Sequence, residues 1–327
     1  MKRAIITGIT GQDGIFLTEL LIKENYTVLG LTSSINSTRT KLFQKLYPLV
    51  DLEEFSVSNV IELQSKIKNF NPTEIYNLAA ISSVYLAEKI PTITHQVNAE
   101  LPKHIIEILY KLKMQSDVRF YQASSSEMYG NSPDLVQNEL TKFNPISQYA
   151  KSKLDAHNYC LEQRSKGMFL ACGILFNHES EYRSAKFVSK KICKGIAEIV
   201  LGRSEKIVLG DLKPSRDWGY AGDYAQAMWK MLQQDNPSDY VIASGVSRSI
   251  KNFVESALET AGIKGNMSNY VLQDKKYFRK FDIRSTTGDA SKAKNLLGWI
   301  PTTSFESMLQ KMINFEIREL TKVEDSD

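Results

Sequence analysis

A short β-branched run, Ala4-Ile5-Ile6-Thr7, passes at once into Gly8-Ile9-Thr10-Gly11-Gln12-Asp13-Gly14. No other stretch limits the fold as strongly. The apolar run reads as a buried strand. Residues 15–23 then carry Phe16, Leu17, Leu20, Leu21 and Ile22 at helical spacing. Strand, G-x-x-G-x-x-G loop and helix, in that order, are the context a dinucleotide-binding loop requires. Gly8, Gly11 and Gly14 let backbone approach a pyrophosphate, and the helix N-terminus adds amide donors and a favourable dipole. Thr10, Gln12 and Asp13 share the loop and are candidate cofactor contacts. A tight strand-to-helix turn without a ligand is the competing reading.

The first half continues in the same alternation. Residues 26–31 read as a second strand, whose end normally selects the cofactor: an acid holds a ribose hydroxyl, a base a 2′-phosphate. The segment after it, Thr32 to Arg39, has hydroxyls and Arg39 but no acid. That favours NADP, with NAD as the alternative. Residues 61–70 and 105–112 have helical periodicity. Glu74-Ile75-Tyr76-Asn77 runs into Leu78-Ala79-Ala80, small residues suited to backbone passing close to a cofactor. Residues 118–123 and 169–176 are further strands. Strands alternating with helices predict an α/β fold, a doubly wound parallel sheet. Its active site belongs at the carboxyl ends of the strands.

Two clusters fall there. Ser124-Ser125-Ser126-Glu127 ends the 118–123 strand, and Tyr149 and Lys153 stand four apart after Pro145. On a helix that spacing puts both side chains on one face. A cation beside a phenol favours the phenolate, so Lys153 is expected to lower the Tyr149 pKa. Ser125 can bond the same substrate oxygen, and Glu127 can move a second proton. These four candidates suit oxidation at a carbinol plus proton chemistry at the neighbouring carbon.

After Ser180 the pattern turns irregular. Residues 1–177 are expected to bind NAD(P), with 220–250 returning to that domain. Residues 178–219 and 251–327 would form a smaller substrate-binding domain. Arg183, Lys186, Lys190, Arg216 and Arg279 are candidates to face an anionic diphosphate. The net charge of +4 is mild and the lysines are scattered, so nucleic acid is not indicated. Cys160, Cys172 and Cys193 are odd in number and lack metal-knuckle spacing, which suits reduced thiols in a cytoplasmic protein without a metal site. No signal-peptide core or membrane span is readable.

The glycine loop, the Asn77-Leu78-Ala79-Ala80 segment and the Tyr149/Lys153 pair resemble the extended short-chain dehydrogenase/reductase superfamily. Longer strings narrow the resemblance to the GDP-mannose 4,6-dehydratase family: Phe120-Tyr121-Gln122-Ala123-Ser124, Asn177-His178-Glu179-Ser180, Arg216-Asp217-Trp218-Gly219 and Gly288-Asp289-Ala290-Ser291. The resemblance spans nearly the whole chain. It implies conversion of GDP-mannose to GDP-4-keto-6-deoxymannose with NADP, by a homodimer or homotetramer. By motif, Ser125 takes the place of a catalytic threonine, and Glu127, Tyr149 and Lys153 match directly. Ser56, Val57, Ser82, His178 and Arg183 fall at cofactor positions. Ser83, Asn177, Lys191, Arg216 and Arg279 fall at nucleotide-sugar positions. There are departures. The segment after the second strand is shorter and keeps only Arg39 of an Arg-Arg pair. Ile81 and Ser83 replace a glutamine and a histidine, and Lys280-Phe281-Asp282 follows Arg279. They leave open a related GDP-sugar such as a GDP-manno-heptose, or a GDP-4-keto-sugar reductase or epimerase.

Overall fold

A computed structural model of the chain describes residues 2–278, 283 and 285–324, with side chains through 322. In chain order the first half contains β1 (Arg3–Thr7), α1 (Gln12–Lys23), β2 (Thr27–Thr32), α2 (Thr38–Leu46), β3 (Asp51–Glu54), α3 (Val60–Phe70) and β4 (Glu74–Asn77). α4 (Val84–Lys89), α5 (Pro91–His95), α6 (Leu101–Lys111), β5 (Arg119–Ser125), α7 (Gln148–Ser165) and β6 (Leu170–Leu175) follow. The second half contains β7 (Asn177–Glu179), α8 (Val188–Val200), β8 (Ile207–Leu209), β9 (Ser215–Tyr220), α9 (Ala221–Leu232) and β10 (Asp239–Ile242). β11 (Ser247–Ser249), α10 (Ile250–Thr260), β12 (Val271–Gln273), α11 (Ser291–Leu297) and α12 (Phe305–Glu324) complete it.

Seven parallel strands form one sheet in the order β10-β6-β5-β4-β1-β2-β3. The sequence predicts this architecture because both faces of a parallel sheet are covered, so its strands read as continuous apolar runs. β6 shows it plainly: Leu-Ala-Cys-Gly-Ile-Leu is buried at every position. The predicted alternation omits β3, which reads Asp-Leu-Glu-Glu and is partly exposed. An edge strand tolerates, and benefits from, charges that discourage further pairing. It therefore carries no apolar signature.

Helices cover both faces. Ile6, Leu17, Leu21, Tyr224 and Met228 pack on one side, under α1 and α9. Ile5, Leu63, Ile105, Leu109 and Cys160 pack on the other, under α3, α6 and α7. Fully burying each such side chain contributes roughly 1.5–3 kcal/mol, so the helices are held mainly by this apolar contact. A third cluster, with Ile196, Trp218, Phe253 and Leu309, joins α8, α10, α12 and β9. Two buried acids stitch this smaller lobe to the sheet. Asp217 accepts from the amides of Ser244 (2.8 Å), Gly245 (2.9 Å) and Gly288 (3.1 Å). Asp223 accepts from Thr302 and Thr303 after α11.

The chain runs from β1 outward to β2 and β3, then returns to place β4 on the other side of β1. That reversal opens a crevice at the carboxyl ends of β1 and β4, where ligands of such sheets bind.

Candidate active site

The glycine loop occupies that crevice. Gly8 takes a left-handed φ of 69° that other residues avoid. A Cβ there would lie 2.8 Å from the Ala79 Cα. Thr7 braces this close approach through its hydroxyl, which accepts from the Leu78 and Ala79 amides. Gly11 is the N-cap of α1 and has no side chain to cap it. The amides of the first helical turn have no intrahelical partner, so they remain to meet a pyrophosphate. Bare loop, small-residue wall and uncapped helix fit a dinucleotide.

Gln12 and Asp13 reach across to the segment after β6. Gln12 Nε2 donates to the His178 carbonyl (2.8 Å), and its Oε1 accepts from Ser180 (3.0 Å). His178 Nδ1 donates to the Phe176 carbonyl (2.7 Å), and Nε2 faces both Asp13 oxygens at 3.1 Å. Both ring nitrogens meet acceptors, so the imidazolium is the form that satisfies them. Burial opposes that charge, but Asp13 outweighs it and raises the His178 pKa. Burial likewise opposes the Asp13 charge, and His178 outweighs it and lowers the Asp13 pKa. Three candidate cofactor residues thus lock the loop to the opposite wall.

Arg183 and Arg39 line the same region. Arg183 Nε lies 3.0 Å from Glu179 Oε2 without a directed hydrogen bond, and its guanidinium covers the Phe187 ring at 3.6 Å. Desolvation, and then the Arg183 charge, lower the Arg39 pKa. Arg39 itself remains exposed on α2, so the informative contribution is the neighbouring guanidinium. Two like charges near one another suit an anion.

The chemistry-bearing side chains meet at the end of β5. Lys153 Nζ donates to the Ala123 carbonyl (2.8 Å), and the Tyr149 hydroxyl hydrogen-bonds Ser125. Ser125 also caps the short 3₁₀ turn Ser126–Tyr129, accepting from the Glu127 amide at 3.3 Å. The electrostatics differ from the expectation. Tyr149 is pushed up to about 12, because burial disfavours the phenolate and the Glu127 carboxylate adds to it; the Ser125 bond and the Arg183 charge pull the other way. Burial also lowers Lys153 to about 8. Tyr149 is therefore protonated in this state, and Lys153 holds the strand end.

Other candidates fall elsewhere. Leu78 and Ala79 pack on the two sheet cores. Ser83 accepts from the Leu86 amide as N-cap of α4, and Ser82 is exposed beside it while Ala80 is half-buried. The Ser56 hydroxyl bonds Ser58, and Val57 packs on the α3 core. Asn177 begins β7, paired with Trp218. Arg216 donates to the carbonyls of Ser215 (2.9 Å) and Ile283 (2.8 Å), and Lys191 covers the Tyr277 ring at 4.3 Å. Lys190 is withdrawn from any diphosphate: it pairs with Glu316 and donates to the Glu181 carbonyl. A buried ammonium takes such partners because none is available in water-free surroundings. Arg279 lies outside the described residues.

Sequence reasoning missed several positioning groups. Thr7 donates to Asn77 (2.7 Å), and Asn77 to Gln122 (2.9 Å), across the ends of β1, β4 and β5. Asn98 sits in a π-helical turn, Gln96–Glu100. Its amide accepts from the Ile81 backbone (2.8 Å) and donates to Ser152 of α7 (3.2 Å). For Asn77 and Gln122 a polar residue within an apolar strand was the available signal; Asn98, among polar neighbours, gave none.

A family model described as GDP-mannose 4,6 dehydratase matches residues 5–312. The chain belongs to this family. GDP-mannose 4,6 dehydratase 1 of Arabidopsis thaliana is 39% identical over 99% of the chain and 91% of its own length. Solved structures at lower identity show the common fold. The dTDP-glucose 4,6-dehydratase of Bacillus anthracis, in complex with NAD, superposes with a TM-score of 0.81 at 21% identity, over 98% of each chain. RMD from Pseudomonas aeruginosa, complexed with NADPH, superposes with a TM-score of 0.77 at 20% identity, also over 98% of each chain. The family match spans both the glycine loop and the α7 pair.

Proposed function

We propose that the protein is a GDP-sugar 4,6-dehydratase that converts GDP-mannose to GDP-4-keto-6-deoxymannose, with loss of water. Membership of the family supports the substrate. One observation carries the reaction type: a carboxylate, Glu127, sits near enough to Tyr149 to raise its pKa. Oxidation at C4 needs only the tyrosine and its helpers. Removing a proton from C5 and expelling the C6 hydroxyl needs a further acid–base group.

The cofactor in this reading is NADP. Relatives of the same fold bind NAD or NADPH, and the Arg39–Arg183 approach favours a ligand with an extra phosphate. When bound, a nicotinamide would supply a reversible hydride acceptor for the C4–C6 transfer. Every other step falls to the chain. Tyr149 takes the C4 hydroxyl proton while Ser125 bonds that oxygen. Lys153, still mostly charged at neutral pH, holds the end of β5 and favours the phenolate as it forms. Glu127 takes the C5 proton, which the adjacent ketone has made acidic, and it or Ser125 protonates the departing C6 hydroxyl; the second of the two protons taken up returns to C5 as C6 receives the hydride, so the loss of one water balances. His178, Arg183 and the glycine loop hold the cofactor, and Asn177, Lys191, Arg216 and Arg279 hold the nucleotide-sugar. The reading includes a homodimer or homotetramer, on family resemblance. It also includes a cytoplasmic setting, which three free cysteines suit. Among the described residues no helix is long and apolar enough to cross a membrane.

The test is a panel of GDP-mannose, GDP-manno-heptose and UDP-, CDP- and dTDP-sugars, followed by mass spectrometry. Loss of one water from GDP-mannose, without net reduced cofactor, is expected. Water loss from the heptose alone moves the substrate. Formation of a 4-keto sugar by oxidation, or its reduction, without water loss overturns dehydration.

A further inference from the structure

α7 presents Tyr149, Lys153 and His157 at successive intervals of four, on one face. They meet three successive residues of β5. Tyr149 bonds Ser125, Lys153 donates to the Ala123 carbonyl, and His157 Nδ1 lies 2.9 Å from Ser124 Oγ. The first two contacts belong to the site already described. The third lies a further turn along α7, where His157 is 1% exposed and Ser124 3%.

The other side of the His157 ring is enclosed as well. Nε2 is 3.8 Å from Asp239 Oδ2 at the start of β10. Asp239 accepts from Arg164 Nη2 (2.5 Å), whose guanidinium also lies 3.7 Å from Cys172 Sγ on β6. Cys160, on α7, hydrogen-bonds Cys172. Phe143 meets the ring edge-on, with centroids 5.3 Å apart. His157, Cys172 and Asp239 are close enough to hold a metal ion. Arg164 already supplies the cation to that acid, and a metal would have to displace it. The cluster instead behaves as a rigid seat for the imidazole.

We infer that His157 is a positioning residue for the dehydration. Its bond to Ser124 fixes α7 along the end of β5, and thereby aims Tyr149 and Lys153, two turns and one turn earlier, at Ser125 and Ala123. The inference rests on the reading that Tyr149 and Lys153 perform the chemistry. A hydrogen bond sets direction, which the apolar contact beneath α7 does not. With that bond gone, α7 remains docked but can shift against β5, and displacements near 1 Å are costly to reacting groups.

The experiment compares the full-length parent with Ser124→Ala, His157→Leu, the pair combined, and His157→Asn, which returns a polar atom near the Nδ1 position. Steady-state kinetics with GDP-mannose and melting curves are measured for each, with Tyr149→Phe alongside. Ser124→Ala and His157→Leu should each lower kcat by about tenfold, the worth of one lost hydrogen bond at the barrier, with KM changed by less than about twofold. The combined variant should fall no further than His157→Leu, because the Ser124 bond is already lost there. His157→Asn should recover most of the loss. A folded Ser124→Ala variant with parental kcat overturns the inference, and so do additive losses in the combined variant. Ser124→Ala decides the matter even if His157→Leu does not fold. An active Tyr149→Phe overturns the underlying reading instead, and is separately visible.

Discussion

Gly14→Ala sets two forces against each other. Gly14 is in the first turn of α1, where alanine favours the helix by about 1 kcal/mol. On that count alone the variant is more stable. But a Cβ at this position would stand 2.2 Å from the Ile9 carbonyl oxygen and 2.5 Å from its carbon. Both atoms are backbone within the glycine loop, so no side chain can swing away. Ordinary contact requires the helix start and the loop to separate by about 1 Å, and such overpacking costs roughly 1–3 kcal/mol, occasionally more. The steric cost wins. Contact this close with two backbone atoms puts the cost in the upper part of that range, so net destabilisation of about 1–2 kcal/mol lowers the melting temperature by a few degrees in a chain of this size. The same separation withdraws the first-turn amides from a bound pyrophosphate, so affinity for a nicotinamide dinucleotide should fall about tenfold or more. Scanning fluorimetry measures the first effect and cofactor titration by fluorescence the second. A Gly14→Ala protein that melts higher and binds the dinucleotide as the parent does would refute the argument, because helix propensity would then have outweighed the clash.

Two further outcomes follow from the site. Glu127→Gln should lose about 10²- to 10⁴-fold in water elimination yet still oxidise C4, so reduced-nicotinamide absorbance accumulates with GDP-mannose and C5 exchange with deuterated water stops; with the carboxylate charge gone, Tyr149 also titrates lower than in the parent, and undiminished turnover would remove Glu127 from its role. His178 has a folded pKa raised above its ordinary 6.5 by Asp13 despite burial, so the stability that its protonation contributes is fully present below 6.5, while Asp13 stays ionised, and is lost as pH rises through the folded value. The melting temperature should therefore decline on the alkaline side of 6.5, more steeply in the parent than in His178→Gln; equal slopes would mean that the pair contributes nothing.

The sheet was legible because its strands are buried on both faces, and continuous apolar runs such as β6 declare that directly. The edge strand β3 was not, since exposure removes the need for apolar residues. The glycine loop was legible because a close approach leaves glycine little alternative, as the contact between Gly8 and Ala79 shows. The spacing of Tyr149 and Lys153 indicated a shared face, and the structure brings that face to Ser125 and Ala123. The expected effect of Lys153 on Tyr149 did not follow from spacing, because sequence carries no measure of how deeply a phenol is buried. Lys190 was misjudged for a related reason: its partner Glu316 stands more than a hundred residues away.

α7 explains why the remaining contacts were hidden. Its sequence, Gln-Tyr-Ala-Lys-Ser-Lys-Leu-Asp-Ala-His-Asn-Tyr-Cys-Leu-Glu-Gln-Arg-Ser, shows no clear apolar stripe, yet Tyr149, Ser152, Lys153, His157 and Gln163 are all buried. A helix face can be both polar and buried only where each group finds a partner. Those partners come from other elements: Ser125 and Ala123 from β5, Asn98 from the π-helical turn, Ser124 with Asp239 behind it. Periodicity reads apolar burial, which is non-directional and fixes only that a helix docks somewhere. Hydrogen bonds fix where along the strand it docks, and the proton transfer proposed for Tyr149 depends on that register. The residues that aim the chemistry are therefore the ones a hydrophobic pattern is least able to display.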